Sequence, residues 1–177
     1  MTDDIFLLDT NIISNSSKQK PHPRVSEWLN AQSRVAIPFA VILEVETGIA
    51  EKDRSDPAKA EELWEWMDQL LETEFEYAPP TPHVARLLAK LICCRPLTHL
   101  WLANPKADNK KPGQDLFIAA TSIAYDLPIA TLNAKDFELI DSFFPLPGVY
   151  NPANDVWAVQ RCQVESAADA MNPVMVA

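Results

Sequence analysis

No run of apolar residues in this chain approaches the roughly 20 needed to cross a bilayer as a helix. The opening residues Met1-Thr2-Asp3-Asp4 are acidic where a secretory signal would be basic, so a cytoplasmic protein with no membrane association is expected. Cysteine is scarce. Cys93, Cys94 and Cys162 make an odd number, two of them adjacent on an expected helix, which argues against a disulfide framework and for idle thiols. His99 lies near the pair, but the spacing fits no zinc pattern and supplies too few ligands. Basic residues are also in deficit: 15 Lys and Arg face 25 Asp and Glu, a formal charge of -10. That excludes a generally basic nucleic-acid coat, although it leaves a local patch, and therefore an RNA substrate, open. No segment repeats. With 177 residues, 47% of them hydrophobic, the chain can bury a real core. One domain over 1–150 is expected, followed by a partly flexible extension over 151–177.

The apolar residues fall into short, punctuated runs. Ile5-Phe6-Leu7-Leu8 ends abruptly in Asp9-Thr10-Asn11. A continuous apolar run bounded by polar residues suits a strand buried on both faces of a parallel sheet, and such sheets place ligand sites at the carboxyl ends of strands. Taken alone, Asp9 reads more simply as the start of a turn or the cap of the next helix. Asn11 to Lys20 is a polar stretch, and Pro21-His22-Pro23 introduces a helix over roughly Arg24 to Gln32 with Val25, Trp28 and Leu29 on its core face. Val35-Ala36-Ile37 reads as a second strand, with Pro38 in the first turn of a helix running to about Ala50. Pro57 opens a long helix to about Thr73 with Leu63, Trp64, Met67, Leu70 and Leu71 on one face. An edge strand at Phe75-Glu76-Tyr77 and a helix from His83 to about Cys94 follow; Arg95 to Pro112 is irregular. A small-residue helix contains Asp115 in its first turn, and Leu127 to Leu132 reads as a strand ending in Asn133-Ala134-Lys135-Asp136-Phe137. Signals beyond Phe144 are weak.

Acids decide the functional reading. Twelve acids and three bases lie between Glu44 and Glu76, mostly a solvated helix face, with a docking surface for a basic partner as the sharper alternative. Within that stretch Glu44 shares its helix face with the small residues Ala40, Thr47 and Gly48, whereas Glu46 falls among Phe39, Ile42, Leu43 and Ile49. Glu46 is therefore either a second site residue or a carboxylate reaching an edge. In a parallel sheet, Asp9, Glu44, Asp115 and Asp136 with Asn133 would converge on one edge. Converging carboxylates repel, so such a site is expected to hold Mg²⁺ or Mn²⁺, and these ions polarise phosphates and acidify bound water for phosphodiester hydrolysis. Lys106, Lys110 and Lys111 precede Asp115 and could hold an RNA backbone, although a linker would look the same.

Four blocks, LLDTN from Leu7, LEVETGI from Leu43, QDLFIAATS from Gln114 and IATLNAKDF from Ile129, carry a resemblance that runs from Phe6 to about Phe144. The chain resembles PIN-domain ribonucleases of the VapC toxin type, including the FitB-like branch. The resemblance implies a three-layer α/β/α sandwich with a mainly parallel central sheet and an Mg- or Mn-dependent endoribonuclease. It also implies a homodimer, or a higher toxin–antitoxin assembly, neutralised by a cognate antitoxin. By resemblance Asp9, Glu44 and Asp115 are the family's acids and metal ligands, Glu44 being preferred over Glu46 because the family's glutamate precedes this glycine, Gly48, by four. Either Asn133 or Asp136 completes the pocket, and Thr10, Asn11, Lys110 and Lys111 stand beside it. A phosphoacceptor receiver domain is disfavoured because Asp9 has no adjacent acid and a glutamate on a helix is foreign to that class. A haloacid-dehalogenase-type phosphatase lacks its second Asp at Asn11. A degenerate PIN-like module that binds protein or RNA without cleaving remains the alternative, supported by Asn133 and opposed by the other acids.

Overall fold

The computed structural model describes residues 5–102 and 113–161. Its sheet is ordered β3 (Glu76–Ala78), β2 (Val35–Pro38), β1 (Phe6–Leu8), β4 (Ile129–Ala130), β5 (Val149–Asn151) and β6 (Val156–Val159), with parallel pairing throughout except at the final, antiparallel pair. The expected α/β fold is observed, a mostly parallel six-stranded sheet flanked by helices.

The centre is β1 (Phe6–Leu8), every residue of which is buried, as the unbroken apolar run requires. It is flanked by β2 (Val35–Pro38) on one side and β4 (Ile129–Ala130) on the other. The chain first steps outward from β1 through β2 to the edge strand β3 (Glu76–Ala78), then returns to build β4 and β5 (Val149–Asn151) on the opposite side. The direction of winding therefore reverses between β1 and β4. In open parallel sheets, ligands bind in the crevice at such a reversal, outside the carboxyl ends of the strands.

Helix α2 (Pro23–Asn30) buries Val25 and sets Trp28 edge-on to Phe6, with ring centroids 5.2 Å apart. Tyr150 and Trp157 close the same aromatic cluster against Phe6 at 5.6 and 5.7 Å. Such contacts add to burial because ring edges carry positive charge and ring faces negative. Helices α3 (Phe39–Asp53) and α4 (Pro57–Leu71) form a smaller second core from Val45, Ile49, Ala60 and Met67. The buried stripe of α4 runs 60, 63, 67, 70, so Trp64 and Leu71, expected on that face, are instead 37% and 39% exposed. Helix α5 (Pro82–Ile92), capped by Thr81, lies beside α7 (Asp115–Tyr125).

Four features depart from the reading of the sequence. Thr10–Ser16 is a helix, α1, rather than a polar connection, and Thr98–Trp101 forms a short helix, α6, within the stretch read as irregular. Ala134–Asp141 is α8, and the strand before it is only two residues long, with the Thr131 N–H donating the last ladder bond, to Tyr150 O at 3.0 Å. The expected boundary at residue 150 falls inside β5, and β6 (Val156–Val159) pairs with it, placing Tyr150 opposite Trp157. Lys106, Lys110, Lys111 and Cys162 lie outside the described residues, as does the remainder of the tail. Cys93 and Cys94 are free thiols. Among the described residues no helix is long and apolar enough to cross a membrane.

Candidate active site

Asp9 follows β1 directly and is 5% exposed. Its Oδ1 accepts a hydrogen bond from the Thr10 backbone N–H at 2.7 Å, capping α1, so the simple cap reading is correct as far as it goes. Capping uses only one oxygen. The other, Oδ2, accepts from Thr131 Oγ1 and from Asn11 Nδ2, each at 2.6 Å, which ties the end of β1 to the end of β4. Asn11 Oδ1 accepts from the Leu132 N–H at 2.9 Å, and Thr131 Oγ1 accepts from the Asn133 N–H at 3.0 Å. Thr131 makes this knot with its side chain, directly after β4 and at the point where the winding reverses, while its N–H still donates to Tyr150 O. Burial pushes the Asp9 carboxyl up to about 6 despite the three donors, which oppose the shift, and the Glu44 charge raises it further.

Glu44, half-buried on α3, accepts a 2.5 Å hydrogen bond from Thr10 Oγ1 and so stands beside the same crevice. Glu46 does not. The core side of α3 is Ala40, Val41, Val45 and Ile49, and Leu43, which was expected to wall in Glu46, is 42% exposed. Glu46 sits at the helix edge, half-buried, which removes the puzzle of a carboxylate in an apolar stripe.

Asp115 occupies the first turn of α7, where the helix dipole favours an anion. Its carboxyl is nevertheless pushed up to about 7, first by burial and then by the charges of Asp9, Asp136 and Glu44. Those named charges show that the four acids share one field. Asp136, in the first turn of α8, accepts from Asn133 Nδ2 at 2.9 Å, so the two residues expected to complete the pocket are held together. Among the described residues the Asp115 carboxylate receives no hydrogen bond, and none of the four acids is in an ion pair.

A magnesium ion keeps several waters and binds proteins through one or two carboxylates, so Asp115, donor-free and facing three other acids, is chemically suited to one. No group of three or more His, Cys, Asp or Glu side chains among the described residues is set to hold a metal as it stands. Three of the acids are already engaged, Asp9 by three donors, Glu44 by Thr10 and Asp136 by Asn133. The arrangement is a set of carboxylates whose charges raise one another's pKa, and a divalent cation is the kind of species that such charges attract.

Residues 6–142 match the PIN domain. The chain belongs to the PIN-domain family. Within it, 76 residues are 34% identical to Ribonuclease VapC14 of Mycobacterium tuberculosis, covering 41% of this chain and 73% of the relative. FitAcB from Neisseria gonorrhoeae aligns over 84% of this chain and 98% of its own chain at 26% identity, with a TM-score of 0.63. FitAB solved with a DNA fragment aligns over 84% and 96%, also at 26% identity, with a TM-score of 0.61. This PIN domain is therefore of the VapC type, and one structure that shares its fold, at 20% identity and a TM-score of 0.51, is VapBC-5 of Mycobacterium tuberculosis, a member of the VapBC family of toxin-antitoxin systems. Sequence reasoning named the four acids of the crevice. It missed Thr131, whose only trace was a hydroxyl residue in an otherwise apolar strand end.

Proposed function

We propose that this chain is the toxin of a VapBC-type pair, a cytoplasmic endoribonuclease that hydrolyses RNA phosphodiester bonds at the crevice between β1 and β4. The observation that carries the reading is Asp115, a carboxylate without a donor among the described residues, raised to about 7 by burial and by three neighbouring acids. A carboxylate cluster of that kind suits a hard divalent cation bound through oxygen ligands.

Asp9, Asp115 and Glu44 would hold Mg²⁺ or Mn²⁺, with Asp136 the further acid of the site. When bound, the ion neutralises a phosphate oxygen and supplies a water acidic enough to attack at neutral pH. The protein's own contribution is positional. Thr131 and Asn11 fix Oδ2 of Asp9, Thr10 fixes Glu44, and Asn133 fixes Asp136, so three of the four acids are oriented before any ligand arrives. Burial of Asp9 keeps bulk water from screening the charge that the cation would see.

Ribonuclease VapC14, among the relatives, supports the activity; a cognate antitoxin as partner and a homodimer as the toxin's own state complete the reading. An antitoxin tail presenting Arg or Lys to Asp9, Glu44 and Asp115 would inhibit by taking the place of the cation. Lys106, Lys110 and Lys111 would then serve the RNA backbone, and their replacement by Ala should weaken RNA binding and flatten its salt dependence.

The second reading, a PIN module that binds RNA or protein without cleaving it, is favoured by the lack of a ready metal-binding trio among the described residues. Incubating the purified protein with RNA in Mg²⁺, Mn²⁺ or EDTA separates the two. Cleavage that needs metal and is absent in Asp115→Asn supports the nuclease; cleavage unaffected by EDTA, or equal in that variant, overturns it.

A further inference from the structure

A cavity of about 290 Å³ opens directly beside the acidic crevice, sharing Thr10 and Glu44 with it. Its far side is formed by Ser14 of α1 and Ser17, the residue that caps the end of α1, its near wall by Leu63 and Trp66 of α4, and its floor by Gly48 of α3. Two observations set it apart from a packing defect. Gly48 stands in the interior of α3 with no positive φ, and a Cβ added there would meet nothing within 4 Å. Glycine is the least favourable helix residue after proline, so a glycine that neither turns the chain nor admits a neighbour keeps space open for something else. Second, the Ser14 hydroxyl donates to no described residue, whereas Trp66 is fixed by a 3.3 Å hydrogen bond from its Nε1 to Ser16 Oγ.

The lining decides what fits. Glu44 at one end, and no Lys or Arg among the lining residues, exclude a phosphate. The volume lies at the lower bound of small-ligand sites, about 300–1,000 Å³, too small for a helix or a duplex and suited to one flat heterocycle. Unpaired bases are recognised by packing on an aromatic wall with hydrogen bonds to their edges, which Trp66 and the Ser14 and Ser17 hydroxyls can supply. We propose that this cavity receives one unpaired nucleobase of the strand whose phosphate lies at the acidic crevice, with Trp66 as its wall, Ser14 reading its edge and Gly48 keeping the floor open. The inference rests on an RNA substrate at that crevice and makes Gly48, Ser14 and Trp66 determinants of which nucleotide is accepted beside the cut.

The test is built so that its failure differs from failure of the nuclease reading. Short single-stranded RNAs carrying an abasic site at each position in turn are titrated against the full chain with Ca²⁺ in place of Mg²⁺ or Mn²⁺, a hard cation that takes the same oxygen ligands and can hold a phosphate at the carboxylates. One position should matter, losing about tenfold in affinity when its base is removed. Gly48→Leu, which fills the floor with a good helix former, should abolish that dependence while melting no lower than the parent; Trp66→Ala and Ser14→Ala should reduce it without filling anything. With Mg²⁺ or Mn²⁺ restored, sequencing the ends produced from a random RNA pool should show the parent's base preference at that position and none in Gly48→Leu. Affinity independent of every base, or a Gly48→Leu protein with the parent's dependence, overturns the subsite. A Gly48→Leu protein unchanged toward RNA but resistant to its antitoxin assigns the cavity to that partner and overturns it as well. Base-dependent binding without cleavage in Mg²⁺ or Mn²⁺ keeps the subsite and removes the nuclease.

Discussion

Two carboxylates bracket the crevice, and their surroundings are opposite in kind. Asp9, at the end of β1, is buried and held by three donors, while Asp115, at the start of α7, has none among the described residues and faces three acids. Both are raised, to about 6 and about 7, with burial the first cause in each, but donors hold Asp9 down and like charges push Asp115 further up. The difference teaches that Asp9 joins the architecture to the site, whereas Asp115 belongs to the site alone. Replacing each by its amide should therefore separate two kinds of loss.

The largest expected effect is on cleavage. Asp115→Asn keeps the shape and removes a charge that a cation needs, so RNA cleavage should fall at least about 100-fold. Its melting temperature in EDTA should match or exceed the parent's, because one member of a repelling cluster is gone. It should also gain less from added Mg²⁺ or Mn²⁺ than the parent does. A variant that melts lower yet still cleaves would place Asp115 among structural residues.

Thr131→Val attacks the other side of the comparison. It removes the 2.6 Å donor to Asp9 and the acceptor of the Asn133 N–H in a buried place. Hydrogen bonds to charged groups contribute about 1.5–3 kcal/mol, so a melting temperature lowered by about 3–10 °C is expected, with cleavage reduced as a consequence. Thr131→Ser should recover most of both. Equal stability of Thr131→Val and parent would show that the knot does not hold the β1 and β4 ends together.

The same contrast explains which features were legible in the sequence. β1 and β4 announced themselves as apolar runs ended by polar residues and β2 as a short apolar run closed by Pro38, and the acids Asp9 and Asp136 followed from the rule that parallel sheets place sites at strand ends. Helix α1 was hidden because Thr10–Ser16 is rich in Ser, Asn and β-branched residues, poor helix formers; it exists because Asp9 caps it and Ile12 and Ile13 are buried. β5 and β6 were hidden because three- and four-residue strands carry little periodicity, and their pairing rests on Tyr150 and Trp157 meeting Phe6, a contact across nearly the whole chain. Trp64 and Trp66 show the limit of a helical wheel: each fits a plausible stripe, and only the position of α3 puts Trp66 inward.

A third expectation concerns pH, and its sign follows from the raised carboxyls. An acid whose folded pKa lies above its unfolded value stabilises the fold while protonated, and that contribution is lost as pH rises through the folded value. In EDTA the melting temperature should therefore fall between about pH 4 and about pH 7 on account of Asp9 and Asp115. Asp115→Asn should flatten the upper part of that decline, near 7, and leave the part near 6. Added Mg²⁺ should reverse the trend, since the cation binds the ionised forms. A parent melting curve that rises steadily over this range in EDTA would contradict the assigned shifts.

The smallest expected effect supplies the control that the comparison needs. Glu46 lies on the same helix as Glu44, two positions on, and a reading by proximity in sequence would treat them alike. Their surroundings differ: Glu44 accepts from Thr10 beside the crevice and raises the pKa of both Asp9 and Asp115, while Glu46 figures in neither shift and sits at the edge of α3 next to the exposed Leu43. Glu46→Gln should accordingly leave cleavage within about twofold and stability within about 0.5 kcal/mol, the range of ordinary surface substitutions. Glu44→Gln should resemble Asp115→Asn, losing cleavage and metal response together. Measuring both variants beside the parent, at one metal concentration and in EDTA, tests whether the site is defined by the shared field of its four acids or by acidic density along α3. Equal losses in the two variants would favour density, and the four-acid assignment would then have to be redrawn.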